Sequence, residues 1–254
     1  MLNENSENKA KELSDIFESL KYFNLSLKDL FSASDIAKHL ASQIASQIDV
    51  EKTESEVEWS KRHEHTSIYH DFSAQLCYVT YSEPGLKGGE EVHLKMRFSY
   101  AITLMESCLS EMLKSVTMRY EQFKRNAVSK IPELKSSQVT LLDFFDKDPK
   151  ELIDNKVMGH LSYILYHNLK KVKSVYEQIL SKDISAVDDD LFKKVSDLTD
   201  VRHDIVHRNG KKATGELIEI TPQMVDSCIH NITRFIAGVH DCINEAIEEL
   251  DEKK

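Results

Sequence analysis

The fold of this chain is decided by residues 98–116, whose sequence is FSYAITLMESCLSEMLKSV. Apolar side chains recur there at steps of three and four residues, and the same spacing continues over 91–126. This period places them on one face of an α-helix. The stretch therefore predicts one long amphipathic helix, with its apolar stripe formed by Phe98, Ile102, Met105, Leu109, Met112, Val116, Tyr120 and Phe123.

Three further helices are predicted downstream, each with a recognisable start or stop signal. Proline at the first helical position and acidic residues in the first turn favour a helix start, and Asn-Gly favours a helix end. A short helical piece is expected at 139–145, and a loop or small hairpin at 211–220. The start signals are Asp148-Pro149, Asp188-Asp189-Asp190 and Thr221-Pro222, and the stop signal is Asn209-Gly210. Together these stretches predict an all-α protein built around a four-helix bundle.

The composition agrees with this fold class. The 254 residues include only 7 glycines and 4 prolines, far fewer than a β-sandwich or propeller needs for its turns. No apolar run approaches the length of a membrane span, and the first residues do not resemble a secretory signal. We therefore expect a cytoplasmic protein without a membrane segment.

The N-terminal third of the chain is less regular than the rest. Residues 84–89 hold three of the seven glycines and one proline, which predicts a boundary between an accessory region, 1–83, and a bundle, 91–251. Helices are predicted at 13–31 and 33–48. Residues 68–81 fit either a helix or a strand, and the helix is favoured for their first part. The accessory region is thus expected to be mostly helical, with a possible small β element.

The cysteines and the N-terminal histidines have ordinary explanations. No CxxC pair is present, and we interpret the four cysteines as buried small apolar residues. A loose group of histidines near one cysteine contains a His-x-His spacing that can bind metal, but its Glu- and Lys-rich flanks favour a solvated segment. The cysteines are Cys77, Cys108, Cys228 and Cys242, and the histidines are His63, His65 and His70.

Residues 201–212, VRHDIVHRNGKK, form the only dense cluster of reactive polar side chains. Four cations face a single carboxylate there, although the chain as a whole carries a net charge of −10. At about 100° per residue, His203 and His207 point away from the predicted core. On a straight helix Arg202 and His207 are about 140° apart, so they converge only if the helix end loosens or two subunits contribute.

Three interpretations of this cluster are open. One is a solvated helix end, where the helix dipole favours cations. Another is a zinc pair formed by histidines four residues apart, which the neighbouring arginines oppose. The third is a phosphodiester site, because imidazole moves protons near neutral pH and guanidinium binds phosphate oxygens. RNA carries its own nucleophile, the 2′-hydroxyl, so such a site needs neither a metal nor a cofactor.

The Arg202-x4-His207 spacing, with the polar His203 directly after the arginine, resembles the RX4–6H motif of HEPN domains. The long helix that contains AITLMESCL at 101–109 and the closing helix agree with that family, so the resemblance covers roughly 91–251. HEPN proteins are helical bundles that usually dimerise. Many are metal-independent endoribonucleases of toxin and antiviral defence systems, and others only bind RNA or a protein partner.

The resemblance implies that Arg202 and His207 are the catalytic residues of an endoribonuclease. A toxin subgroup extends the motif to RX4HXY, where Asn209 stands in place of the tyrosine, which argues against a nucleotidyltransferase partner. The expected partners are RNA, a second copy of the chain and an antitoxin or other regulatory protein. The alternative is a non-catalytic module that binds RNA or a protein.

Several neighbouring residues are predicted to support this site. Glu106 is either a carboxylate that orients Arg202 or a boundary residue facing water. Asp204 either orients one of the histidines or is simply exposed. The remaining candidates are expected to guide the RNA strand, and they are His203, Arg208, Asn209, Lys211 and Lys212.

Overall fold

The computed structural model describes residues 61–85, 87–140, 143, 148–184 and 188–252, and all regular structure in these ranges is helical. The prediction of an all-α protein is confirmed. The predicted helices at 13–31 and 33–48 lie outside the described residues, as does most of the piece expected at 139–145. The helices are α1 (Glu64–Tyr81), α2 (Glu90–Arg119), α3 (Glu121–Lys130), α4 (Pro132–Lys135), α5 (Pro149–Ser162), α6 (Leu169–Leu180), α7 (Asp189–His207) and α8 (Pro222–Asp251).

The ambiguous stretch 68–81 is entirely helical, so the strand alternative is wrong. Phe72, Leu76 and Val79 are buried, whereas Ala74 and Tyr78, which a strand would bury, are exposed. The three buried residues belong to the same hydrophobic core as the helices that follow, and α1 packs most extensively against α2. The division into 1–83 and 91–251 stays a prediction.

The helix predicted over 91–126 is interrupted at Tyr120. The backbone there is extended, with φ −100° and ψ 114°, although the Tyr120 amide still donates to the carbonyl of Val116. The Tyr120 ring is buried against Phe123, with ring centroids 5.5 Å apart. The bend redirects α3, whose Asn126 side chain donates to the Ile179 carbonyl at 2.7 Å. Tertiary packing therefore divides a helix that the apolar period alone predicts as continuous.

The second predicted long helix is likewise two helices, α5 and α6. It begins as expected, because the Asp148 side chain accepts a hydrogen bond from the Lys150 amide and Pro149 occupies the first turn. The chain leaves the helix at Tyr163, which is 89% exposed, and re-enters at Asn168, which caps α6 through the Lys171 amide. An exposed tyrosine and a capping asparagine thus mark the break.

The last two helices follow their predicted signals. Asp188 and Thr221 cap α7 and α8 by accepting from the amides of Leu191 and Met224. Asn209 and Gly210 both have positive φ, 52° and 77°, and end α7 as expected. Between the helices, Lys211 and Leu217 form an isolated antiparallel bridge, so 211–220 is a small hairpin-like turn.

All eight described helices contribute buried side chains to one core. At its centre the Tyr176 hydroxyl of α6 donates to the Leu109 carbonyl of α2 at 2.6 Å. Cys108, Cys228 and Cys242 are buried as expected, whereas Cys77 is exposed because it lies on the outer face of α1. Among the described residues, no helix has the length and apolar character needed to cross a membrane.

Candidate functional site

The reactive cluster lies at the C-terminal end of α7, and the helix stays regular through His207. Only beyond it does the chain turn, where the amides of Arg208 and Gly210 both donate to the Asp204 carbonyl at 3.0 Å. Arg202 and His207 therefore keep the separation of about 140° that a straight helix imposes. Loosening of the helix end does not bring these two side chains together within one molecule.

His203 and His207 form an exposed imidazole pair on the outer face of α7. Their ring centroids lie 4.7 Å apart with the ring planes tilted by 45°. The Asp204 carboxylate forms an ion pair with Arg208 one turn later. The pair is thus accessible to a ligand and is neighboured by a guanidinium group that is itself exposed.

Arg202 turns the other way, towards α2, and its charge acts on Glu106 of that helix. Both side chains are half-buried, and within the described residues neither Arg202 Nε nor Glu106 Oε1 has a hydrogen-bond partner. Burial raises the pKa of Glu106, and the positive charges of Arg202 and His167 oppose part of that shift. Arg202 is therefore near enough to influence the charge of Glu106, and no hydrogen bond or ion pair joins the two side chains within the described residues.

The predicted strand-guiding residues surround the α7 terminus. Asn209, Lys211 and Lys212 are exposed, and Lys212 Nζ donates to Glu216 at 3.2 Å within the hairpin-like turn. Lys95 of α2 packs over Gly210, where a Cβ added to the glycine would lie 3.4 Å from the lysine Nζ. This close approach adds a cation from α2 that the motif did not indicate, and its Nζ also donates to Glu91 Oε1 at 2.6 Å.

An apolar groove of about 600 Å³ runs beside Arg202, between α1, α2 and α7. Its walls include four exposed large side chains, Tyr78, Met96, Tyr100 and Val206. Sequence reasoning missed this groove. The sequence feature that could have indicated it is the pair Met96 and Tyr100, two large apolar residues four positions apart on α2 that lie off its core stripe.

A second group that the sequence analysis misjudged lies between α1 and α8. His65 is fully buried, with Nε2 donating to Asn244 Oδ1 at 2.9 Å, so the prediction of a solvated segment is wrong for this residue. Tyr69 stacks on His240 with centroids 4.5 Å apart. Burial lowers the pKa of both His65 and His240. The described residues contain no group of three or more His, Cys, Asp or Glu placed to hold a metal. The hydrogen bond to Asn244 and the Tyr69–His240 stack join α1 to α8.

Comparison of the chain with protein-family models, with curated proteins and with solved structures finds no match.

Proposed function

We propose that this protein is a metal-independent endoribonuclease of the HEPN type, acting in the cytoplasm as part of a toxin or antiviral defence system. The observation that carries the proposal is the outer face of α7. There His203 and His207 are exposed off the core, with the half-buried Arg202 beside them and further cations at the helix end, in a chain of net charge −10. The helix dipole favours cations at this end of α7, and an anionic ligand is the partner that such a cluster attracts in an acidic protein.

The chemistry follows from the groups present. The 2′-oxygen of the RNA attacks the adjacent phosphorus, and the bond from phosphorus to the 5′-oxygen breaks. An imidazole, assigned to His207, accepts the 2′-hydroxyl proton or delivers a proton to the departing 5′-oxygen. Arg202 stabilises the negative charge that develops on the phosphate. The products are a 2′,3′-cyclic phosphate and a 5′-hydroxyl, and the proposed reaction uses no metal or cofactor.

The separation of Arg202 from His207 gives this proposal a structural requirement. One phosphate contacts both groups only when they come from two copies of the chain, each supplying one side of a shared cleft. His203, Arg208, Asn209, Lys211 and Lys212 then guide the strand into the cleft. A homodimer is therefore part of the proposal, and an antitoxin or other regulatory protein acts by covering the same surface.

The test is cleavage of total RNA in excess EDTA by wild type and by His207→Ala. His230→Ala is the matched control, because His230 is also exposed but lies on α8. We expect wild type and the control to release fragments that end in a cyclic phosphate, and His207→Ala to leave the RNA intact. Intact RNA with wild type, or equal cleavage by His207→Ala, would refute the catalytic assignment.

A second candidate is a non-catalytic HEPN module that binds RNA or a protein partner. The observation that favours it is the orientation of Arg202, which faces Glu106 and the groove instead of the imidazole pair. RNA binding that weakens with salt, without any cleavage by wild type, would decide for this module.

A further inference from the structure

The groove beside Arg202 has the character of a site for flat, partly apolar ligands. We propose that it is a subsite for unpaired nucleobases of a single-stranded RNA whose phosphates lie on the imidazole face of α7. This inference rests on the proposed function for the identity of the ligand as RNA. Beyond that function, the inference specifies that unpaired bases are the part of the RNA that is recognised, and it names the residues that bind them.

The first argument is the groove's aromatic and apolar surface. Tyr78 and Tyr100 are 54% and 51% exposed, although each lies on a helix with a well-buried opposite face. Met96 and Val206, 65% and 49% exposed, extend the same surface. Proteins bind unpaired bases by stacking them on aromatic rings, which is tolerant of sequence because every base has a π-face.

The second argument is charge complementarity. Arg97, Arg202 and His93 line the groove, and within the described part of the chain no Asp or Glu does so. The Arg97 guanidinium donates to the carbonyls of Val79 at 2.9 Å and Thr80 at 2.7 Å, and it lies 3.7 Å from the Asp226 carboxylate. Arg202, whose Nε has no hydrogen-bond partner within the described residues, is therefore the cation of the groove best placed to meet an RNA phosphate.

The third argument is continuity with the imidazole pair. Around α7, taking Arg202 as zero, Val206 lies at about 40°, His203 at about 100° and His207 at about 140°. Val206 therefore bridges the groove and the histidines without an intervening carboxylate, since Asp204 lies beyond them at about 200°. A strand whose phosphate contacts His203 places a neighbouring base over Val206 and into the groove.

The geometry also selects single strands. Bases inside a duplex are already stacked and present no free face, so the groove gains nothing from them. We therefore expect unpaired RNA to bind, and duplex RNA of the same sequence to bind only through its phosphates, with stronger salt dependence.

The experiment measures binding of a fluorescent single-stranded oligonucleotide in which every ribose is 2′-O-methylated, so that it cannot be cleaved. Tyr100→Ala should weaken its affinity about 5- to 150-fold, and Tyr100→Phe should retain affinity because the ring remains. Tyr163→Ala is the matched control, since Tyr163 is 89% exposed and lies outside the groove. Thermal melting checks that each variant is folded.

Equal affinities of Tyr100→Ala and Tyr163→Ala would overturn the base subsite. So would a Tyr100→Ala variant that changes the sedimentation coefficient but not the RNA affinity, because the groove would then hold a protein. These results are separable from those of the cleavage assay. If wild type binds the methylated strand more tightly than Tyr100→Ala but leaves total RNA intact, the nuclease is refuted and the base subsite stands. If wild type cleaves RNA and Tyr100→Ala binds the methylated strand equally well, the subsite is refuted and the nuclease stands.

Discussion

Neutralising Glu106 should raise the stability of the fold and, if this residue orients Arg202, lower the rate of RNA cleavage. The Glu106 Oε1 is buried without a hydrogen-bond partner among the described residues, and burial raises the pKa of the carboxyl above the ordinary 4.5. The ionised carboxylate is therefore less favourable in the folded state than in the unfolded one, in spite of Arg202. The isosteric amide in Glu106→Gln keeps a polar group at this place but removes the charge, so it should stabilise the fold at pH 8 by about 1 kcal/mol, the order of magnitude that one pKa unit represents.

The sign of the pH dependence follows from the raised pKa. Below it the carboxyl is protonated and resembles the amide, and as pH rises through it the wild type loses stability relative to the variant. We expect Glu106→Gln to raise Tm by about 2–4 °C at pH 8 and by much less at pH 4.5. Thermal unfolding followed by circular dichroism measures both values.

Glu111→Gln is the matched control, because Glu111 lies on the same helix but is exposed beside Lys114. Its Tm should change little at either pH. A lower Tm for Glu106→Gln at pH 8, or an equal gain at both pH values, would contradict the reasoning. If Glu106 also orients Arg202, the stabilised variant should cleave RNA more slowly than wild type.

Three further predictions concern the fold. Burial lowers the pKa of His65, so the stability that its neutral form contributes is lost as pH falls below about 6.5. Between pH 7 and pH 5, the free energy of unfolding measured in urea should therefore fall less for His65→Leu than for wild type. Gly210→Ala should destabilise the fold by about 1–2 kcal/mol because Gly210 has a φ of 77°. Gly159→Ala should stabilise it by up to about 1 kcal/mol, because Gly159 lies inside α5 with open space around it. The denaturant midpoint should therefore fall for the first variant and rise for the second, and a shift in the same direction for both would refute the pair of predictions. Met112→Ala removes a fully buried side chain and should lower the free energy of unfolding by about 2–5 kcal/mol, and a loss below 1 kcal/mol would mean that the core refills the cavity.

Local signals in the sequence were sufficient to predict the helix ends. Asp148, Asp188 and Thr221 cap helices through their own side chains, and Asn209 with Gly210 ends α7 by adopting positive φ. Each of these effects depends on residues within one turn of the helix. A single sequence therefore contains what is needed to predict them.

Helix interruptions and the groove depend on distant contacts and were not predictable in the same way. Tyr120 carries no glycine or proline signal, and its extended backbone lets α3 reach Ile179. The groove exists only because α1 lies beside α2, which brings Tyr78 towards Tyr100. His65 is similar, since its burial depends on Asn244, far away in the sequence.

The unbroken course of α7 through His207 has a consequence for how activity varies with abundance. A rigid helix fixes Arg202 and His207 on different sides, so a single molecule in dilute solution lacks one half of the proposed reaction centre. The turnover of each polypeptide should then fall on dilution and recover at higher dose, with the steepest change near the dissociation constant of the pair. Under the proposed function, a cell with few copies would keep its transcripts, and a cell that accumulates the protein would lose them over a narrow range of concentration.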